Sequence, residues 1–361
     1  MGVMKGLLQI ATIPVMLSIV SVVMLQSIYP SGVASQLFFL FAGTMLFYYS
    51  SRLPFSFWKS FAKFFYVVVI ALLFFTLVIG KTTKGSSRWL LLGPIHIQPS
   101  QLAVPAVALS LAIFAKKNSM KKPQNILKFA GLATLPTALI FVQPDLGTAT
   151  VFGVISGIIY FFSGVSWKNI GVSVLLVLLL LTIGWNFILH DYQRNRIFSY
   201  LQPEEETLSI AYNAEQSKIA VGSGKLLGRG FGHGVLSALR FLPERQTDFF
   251  FASFAEEFGF IGSFALLILY LVFFLQLLLL IFQPSDVVVR LYGVATLGMF
   301  IWQTSVNLGM NIGLLPITGI TLPFLSYGGS SVISLFLSLA ILQSGANSKK
   351  KERFIEFRGF V

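Results

Sequence analysis

The sequence predicts an all-α polytopic membrane protein of about ten transmembrane helices, with one long extracytoplasmic loop between helices 7 and 8. Three observations carry this. Of 361 residues, 55% are apolar and 37 are Phe. Only 11% are charged, 26 Lys or Arg and 13 Asp or Glu, where a water-facing surface needs roughly a quarter. Apolar runs of the length that crosses a bilayer, about 20 residues, recur along the whole chain. Together they exclude a soluble enzyme, a disordered chain and a protein with a single anchor. Zero Cys excludes disulfides and thiol chemistry, and three scattered His argue against a dedicated metal cage.

Each run is bounded by charges or by Pro and Gly. The first, 7 to 28, follows Lys5 and has no small-residue cleavage site, so it reads as a retained span. The second, 33 to 50, stops before Arg52, and the third, 61 to 80, starts after Lys59. The fourth, 101 to 115, is short, lying between Gln98-Pro99-Ser100 and Lys116-Lys117. Runs 126 to 142 and 147 to 163 are separated only by the Gln143-Pro144-Asp145 break. Run 170 to 189 follows Lys168, and 255 to 282 carries Glu256 and Glu257 at its entry. Run 288 to 312 follows Asp286, and 323 to 343 opens at Pro323. The chain 1 to 361 reads as a single domain, with 190 to 254 as the long loop and 344 to 361 as a basic cytoplasmic tail.

With the N-terminus inside, 16 of the 26 basic residues fall in the cytoplasm, among them Arg52, Lys59, Lys116, Lys117, Lys121, Lys122, Arg290 and the tail. Short outer loops hold only Lys81, Lys84 and Arg88. This satisfies the positive-inside rule with both termini cytoplasmic. The acids run the other way: of 13, only Asp286, Glu352 and Glu356 lie inside. Function is therefore sought on the outer face. The net charge of +13 reads as topology and contact with anionic membrane lipids, and nucleic acid is not expected as a partner.

In the long loop, Arg194 and Arg196 stand just past a span, where Arg forks suit phosphate oxygens or snorkel to the interface. Ser209 to Val221 reads as an amphipathic helix. The glycine-rich stretch Gly222 to Gly234 lacks the spacing of a phosphate-binding loop, since Ile219 and Leu226 occupy the key places. Its glycines are expected to let backbone fold tightly beside the membrane or a ligand. The segment 241 to 259 is the most informative. Asp248 is followed by three Phe, and a carboxylate against an apolar wall gains proton affinity and suits general base work. The bland alternative is that Asp248 caps the next helix while Glu256 and Glu257 meet lipid head groups or a partner. Three other outer breaks are candidates to line the same cavity: Arg88-Trp89 with Gln98 to Gln101, Gln143 to Thr148, and Pro316 to Ser331. Asp145 suits either ligand contact or a helix start.

These motifs resemble the SEDS family (shape, elongation, division and sporulation) and, within it, the RodA branch. The resemblance rests on Arg88-Trp89-Leu90 with Gln98-Pro99-Ser100, on Gln143 to Thr148, and on Gln216-Ser217 with Gly222-Ser223-Gly224. It rests most on Phe241-Leu242-Pro243-Glu244-Arg245, Thr247-Asp248-Phe249 and Ala255-Glu256-Glu257, and continues through Gly313 to Pro316 and Pro323 to Ser330. The form of 241 to 245 favours RodA over the division-specific FtsW.

The resemblance implies a peptidoglycan glycosyltransferase of the bacterial cytoplasmic membrane that joins lipid II into glycan strands on the outer face during elongation. It makes Asp248 the essential aspartate, the base for an inverting transfer with undecaprenyl diphosphate leaving. The substrate-binding candidates are Arg88, Trp89, Gln98, Asp145, Arg194, Arg196, Gln216, Ser217, Glu244, Arg245, Thr247 and Ser326. Implied partners are a class B penicillin-binding protein and other elongation-complex membrane proteins. No cofactor is required, and the use of a divalent cation is open. One departure stands out: after Gln98-Pro99-Ser100 the family usually has Glu and, three residues on, Lys, where this chain has Gln101 and Val104. Losing both charges strands neither. Two alternatives therefore stay in view, a transporter of lipid-linked precursor and a scaffold with impaired catalysis.

Overall fold

The protein is described from a computed structural model that covers residues 2–83, 86–92, 95–188, 194, 210–238, 241–283 and 286–358. It is a bundle of long helices: α1 (Gly2–Ile28), α2 (Val33–Ser50), α3 (Phe55–Ile79), α4 (Pro99–Lys117), α5 (Pro123–Val142), α6 (Leu146–Phe162) and α7 (Trp167–Ile183). After them come α8 (Ile210–Ser223), the one-turn α9 (Val235–Ala238), α10 (Phe250–Ile281), α11 (Val287–Asn311) and α12 (Gly329–Arg358). Among the described residues, 9 helices are long and apolar enough to cross a membrane, and α6 is a shorter apolar helix. The chain is thus a multi-pass membrane protein, and every predicted run lies on a helix.

The boundaries differ where irregular backbone was counted as span. The run predicted from 323 becomes a helix only at Gly329, because Gly313 to Gly328 is an extended loop. Conversely, α4 starts at Pro99 and α10 at Phe250, earlier than expected, so Asp248 stands immediately before a helix. A further departure from an all-α chain lies between α3 and α4. There β1 (Lys81–Thr83), β2 (Ser86–Leu92) and β3 (Ile95–Ile97) form an antiparallel sheet in the order β1-β2-β3, with Lys81 opposite Trp89 and Leu90 opposite Ile97.

Helices α4, α11 and α12 form the centre and are largely buried, whereas α7 buries none of its residues. Its Leu175 and Leu181 are 68% and 63% exposed. In a bilayer such a helix meets apolar chains on every side, so exposure carries little penalty. At the other end of the bundle, Asp286 caps α11 by accepting from the Val288 N–H at 2.9 Å, and it pairs with Lys59 of α3 and Lys116 of α4. Partial burial pushes the Asp286 carboxyl up, but the Lys59 and Val288 hydrogen bonds and the two ammonium charges outweigh this and hold it below its ordinary value.

Helix α10 is broken at Gly259, whose φ of 64° and ψ of −162° are open only to glycine. The glycine-rich turn 224–230 docks its backbone against this break. Arg229 N–H donates to Glu256 O and Gly230 N–H to Glu257 O, both at 3.0 Å, while Phe260 and Ile261 N–H donate back to Lys225 O and Leu226 O. The close approach explains the glycines: a Cβ on Gly224 would lie 2.0 Å from Ala255 O, and one on Gly228 2.1 Å from Glu257 O. The expected tight backbone folding is therefore found, against α10.

Two outcomes follow for stability. Gly259→Ala places a Cβ 2.2 Å from Gly228 N at a backbone conformation alanine rejects, and should cost about 3 kcal/mol or more in thermal melting of the detergent-solubilised protein. Gly153→Ala, on α6 with open space around it, should be neutral to slightly stabilising. Equal melting of the two variants would refute the docking argument. For Asp286, a depressed folded-state titration means its contribution is present above the unfolded value and lost as pH falls through the folded one. Asp286→Ala should lower the melting temperature near neutral pH, and the gap from wild type should close below about pH 4; a gap that widens in acid would contradict this.

Candidate active site

The loop 313–328 is the piece onto which other non-helical segments converge. Its anchor is Phe324, which holds a φ of 64° and is buried to 1% exposure. Its ring stacks on Phe300 at 5.5 Å and meets Phe273 and Phe336 edge-on at 5.8 and 5.3 Å. Such contacts offset the strain of the left-handed backbone. Four helices also hold the loop by hydrogen bonds. Ser21 of α1 donates to Leu325 O at 2.5 Å, and Gly328 N–H donates to Gln36 Oε1 of α2 at 3.3 Å. Tyr270 of α10 donates to Pro323 O at 2.6 Å, and Asn307 of α11 to Ile320 O at 2.7 Å.

Against this loop lies the turn 244–249. Its carbonyls are taken one after another: Gln246 O by Tyr327 N–H at 2.8 Å, Thr247 O by Ser326 Oγ at 2.6 Å, and Asp248 O by the amides of Asn307 and Asn311 at 3.1 and 3.0 Å. Glu244, at φ 52°, closes the turn by accepting from Thr247 and Phe249 N–H. Arg245 reaches back to Ile28 O at the end of α1, 2.8 Å away. With its main chain fixed, Asp248 is half-buried and directs Oδ2 at the backbone of Gly319, 3.6 Å from where a Cβ there would lie.

The same loop meets the α5–α6 break. A Cβ on Gly147 would lie 2.6 Å from Thr318 O, so the start of α6 abuts the residue before Gly319. Asp145 caps α6, accepting from Thr148 N–H at 3.2 Å and Thr148 Oγ1 at 2.9 Å, and takes a further bond from Gln98 Nε2 at 3.2 Å. Arg88 of β2 lies 3.7 Å from Asp145 Oδ1 and donates to Gln143 O at 3.3 Å and to Pro144 O. Gln98 N–H in turn donates to Ser330 Oγ at 2.9 Å, tying the start of α4 to the start of α12.

The structure thus sets Thr247, Asp248 and Ser326 at this loop, with Glu244 and Arg245 in the same turn, and gathers Arg88, Gln98 and Asp145 at the α5–α6 break, which meets the loop at Gly147. Trp89 is half-buried on β2 beside Arg88. Ser217 of α8 is buried and donates to Asn311 O at 2.9 Å, and Gln216 is half-buried next to it. Arg194 donates to Asn186 O at 3.1 Å, just past α7. Arg196 lies outside the described residues. Both readings of Asp145 are compatible, since it is a helix start within the cluster. Glu256 and Glu257 do not meet a lipid face. Both are buried, Glu256 accepting from Leu236 N–H at 2.9 Å and Glu257 from Gly232 N–H at 3.1 Å and from Ser27. They hold the glycine-rich turn to α10 and α1. Asn307, Asn311 and Gly319 were not singled out in the sequence. Two Asn one turn apart inside an apolar run are the signal that points to them.

Residues 3–351 match the family described as cell cycle protein, FtsW/RodA/SpoVE. Peptidoglycan glycosyltransferase MrdB of Escherichia coli K12 is 39% identical over 306 residues, covering 84% of this chain and 82% of the relative. A probable peptidoglycan glycosyltransferase FtsW of Coxiella burnetii is 35% identical over 316 residues, covering 85% and 84%. Among solved structures, rod shape determining protein RodA of Thermus thermophilus superposes with a TM-score of 0.71 at 26% identity, over 94% of this chain and 96% of that one. A chain from a peptidoglycan synthase complex that coordinates polymerization and crosslinking does so with a TM-score of 0.82 at 28% identity, over 94% and 97%. The segments that converge around Asp248 are therefore set in a fold shared across a family, and this chain belongs to it: the FtsW/RodA/SpoVE, or SEDS, family, on its RodA side.

Proposed function

We propose that the chain is a peptidoglycan glycosyltransferase that polymerises lipid II on the outer face of the bacterial cytoplasmic membrane during elongation, with Asp248 as general base. The observation that carries the reading is the Asp248 turn, whose backbone is anchored by neighbours while the carboxylate points along the facing loop at Gly319. In this chemistry an acceptor sugar hydroxyl attacks the anomeric carbon of the donor. The new glycosidic C–O bond forms as the bond to the diphosphate breaks, the hydroxyl proton passes to Asp248, and undecaprenyl diphosphate leaves with inversion. One base is enough for such a step, and no covalent carboxylate intermediate or cofactor is needed.

Arg88 is engaged with Asp145 and two carbonyls, so in this reading it shapes the site. Arg194 and Arg196 are then the candidates to offset diphosphate charge. A class B penicillin-binding protein is the proposed partner, which the likeness to a chain of a peptidoglycan synthase complex supports. Both termini are assigned to the cytoplasm. The fold of α4 is intact without the Glu and Lys usual in the family, and the scaffold alternative is decided by activity. Val104 is buried at 4% exposure and Gln101 O accepts from Ser334 Oγ at 2.5 Å.

The test is purified protein given lipid II, with and without the penicillin-binding partner, and assayed for glycan strands. Wild type should make polymer. Asp248→Asn should lose activity by about a hundred-fold or more, with expression and partner binding unchanged. Polymer retained by that variant would remove Asp248 as the base. No polymer from wild type, together with transport of labelled lipid II across vesicles, would favour the transporter.

A further inference from the structure

Asn307 and Asn311 sit one turn apart on α11, both fully buried, and both aim their amides at the carbonyl of Asp248. The carboxamide of Asn311 does more than donate. Its Oδ1 accepts from Ala252 N–H at 3.1 Å while its Nδ2 donates to Asp248 O at 3.0 Å. Those are the two main-chain groups that an i to i−4 helical bond would join, so the side chain bridges the entry turn of α10. Asn311 itself is held: its Nδ2 also donates to Asn307 O at 2.8 Å, and Ser217 Oγ donates to its main-chain carbonyl at 2.9 Å. Asn307 bridges in another direction. Its Nδ2 donates to Asp248 O at 3.1 Å and to Ile320 O at 2.7 Å, linking the turn that carries Asp248 to the loop that faces it.

We propose that Asn307 and Asn311 are positioning residues for Asp248. Asn311 sets the direction in which the turn enters α10, and Asn307 sets the gap between Asp248 and the loop at Gly319. The proposal rests on the glycosyltransferase reading for its catalytic consequence and on geometry alone for the clamp. An amide is the group that does this, because one planar unit carries two donors and an acceptor at fixed angles. In the buried interior of the bundle, losing Asn307 removes the donor to Ile320 O and one of the two donors to Asp248 O, and losing Asn311 removes the other donor and the acceptor of Ala252 N–H. Misplacement of a general base by a fraction of an ångström lowers turnover while leaving substrate contacts made elsewhere intact.

The experiment compares Asn307→Ala and Asn311→Ala with Thr296→Ala, which removes a buried hydroxyl that donates to Tyr292 O, about three turns before Asn307 on the same helix. Initial rates on lipid II, per folded molecule, should show kcat lowered about ten- to a hundred-fold with KM within about two-fold of wild type for both Asn variants. Thr296→Ala should leave kcat unchanged. Amide hydrogen exchange of the peptide 248–254 should accelerate in the Asn variants and not in Thr296→Ala. If Asn311→Ala is not recovered folded, Asn307→Ala decides, since it removes one of the two donors on the same carbonyl. Unchanged kcat and unchanged exchange in the folded Asn variants would overturn the proposal, as would losses matched by Thr296→Ala. Absence of polymer from wild type overturns the glycosyltransferase reading instead, and the exchange measurement still decides whether the clamp exists.

Discussion

Backbone that leaves the helix inside an apolar bundle must find its hydrogen bonds in protein, because hydrocarbon offers none. The fold is organised around meeting that requirement at four places: the break at Gly259, the break at Pro144, the turn at 244–249 and the loop at 313–328. Each is satisfied by another. The carbonyls exposed by the Gly259 break go to the turn 224–230, and those beside Pro144 go to Arg88. The carbonyls of Gln246, Thr247 and Asp248 go to Tyr327, Ser326 and the Asn pair, and Ile320 O shares Asn307. Irregular segments are tolerated because partners elsewhere in the chain complement them, and at Asp248 that complementarity brings the turn 244–249 against the loop 313–328. Placement of the site and stability of the bundle are thus the same problem.

This also accounts for what was legible in the sequence. The runs were legible because hydropathy and length report membrane crossing directly, and the Gln143-Pro144-Asp145 boundary was legible because Pro and a capping Asp act locally. The Asp145 cap needs nothing farther away than Thr148. Features that depend on distant partners were not legible. Gly259 is one glycine in an apolar stretch, and its broken backbone exists because a turn about 30 residues earlier docks on it. Asn307 and Asn311 pass for polar residues tolerated in a span until Asp248 is placed beside them. The sheet at 81–97 was hidden for a different reason: its strands are too short to stand out between two long apolar runs. Nor could composition reveal that α7 is unburied while α11 is central, since hydropathy measures what a helix can face and not which neighbour it gets.

The candidate site was legible in its members more than in their roles. Ten acids were expected on the outer side, and the depth of Glu256 and Glu257 made them as conspicuous as Asp248. Their surroundings separate them. Glu256 accepts from Leu236 N–H of α9 and Glu257 from Gly232 N–H, the work of a structural clamp. At Asp248 two Asn amides bond the main-chain carbonyl and so fix the backbone that carries the side chain.

That difference bears on how a chain with so few charges organises chemistry. At Asp248 the turn is fixed through its main-chain carbonyl, by donors that carry no charge. Two neutral amides are suited to the task, since they bring directionality with no net charge into a region where an added ion would need its own partner. The same logic runs through Arg88, whose charge is matched by Asp145 and two carbonyls, and through α4, where Gln101 and Val104 leave no charge to be matched. Scarcity of charge, which first marked the chain as a membrane protein, is what obliges the site to be positioned by amides, hydroxyls and backbone.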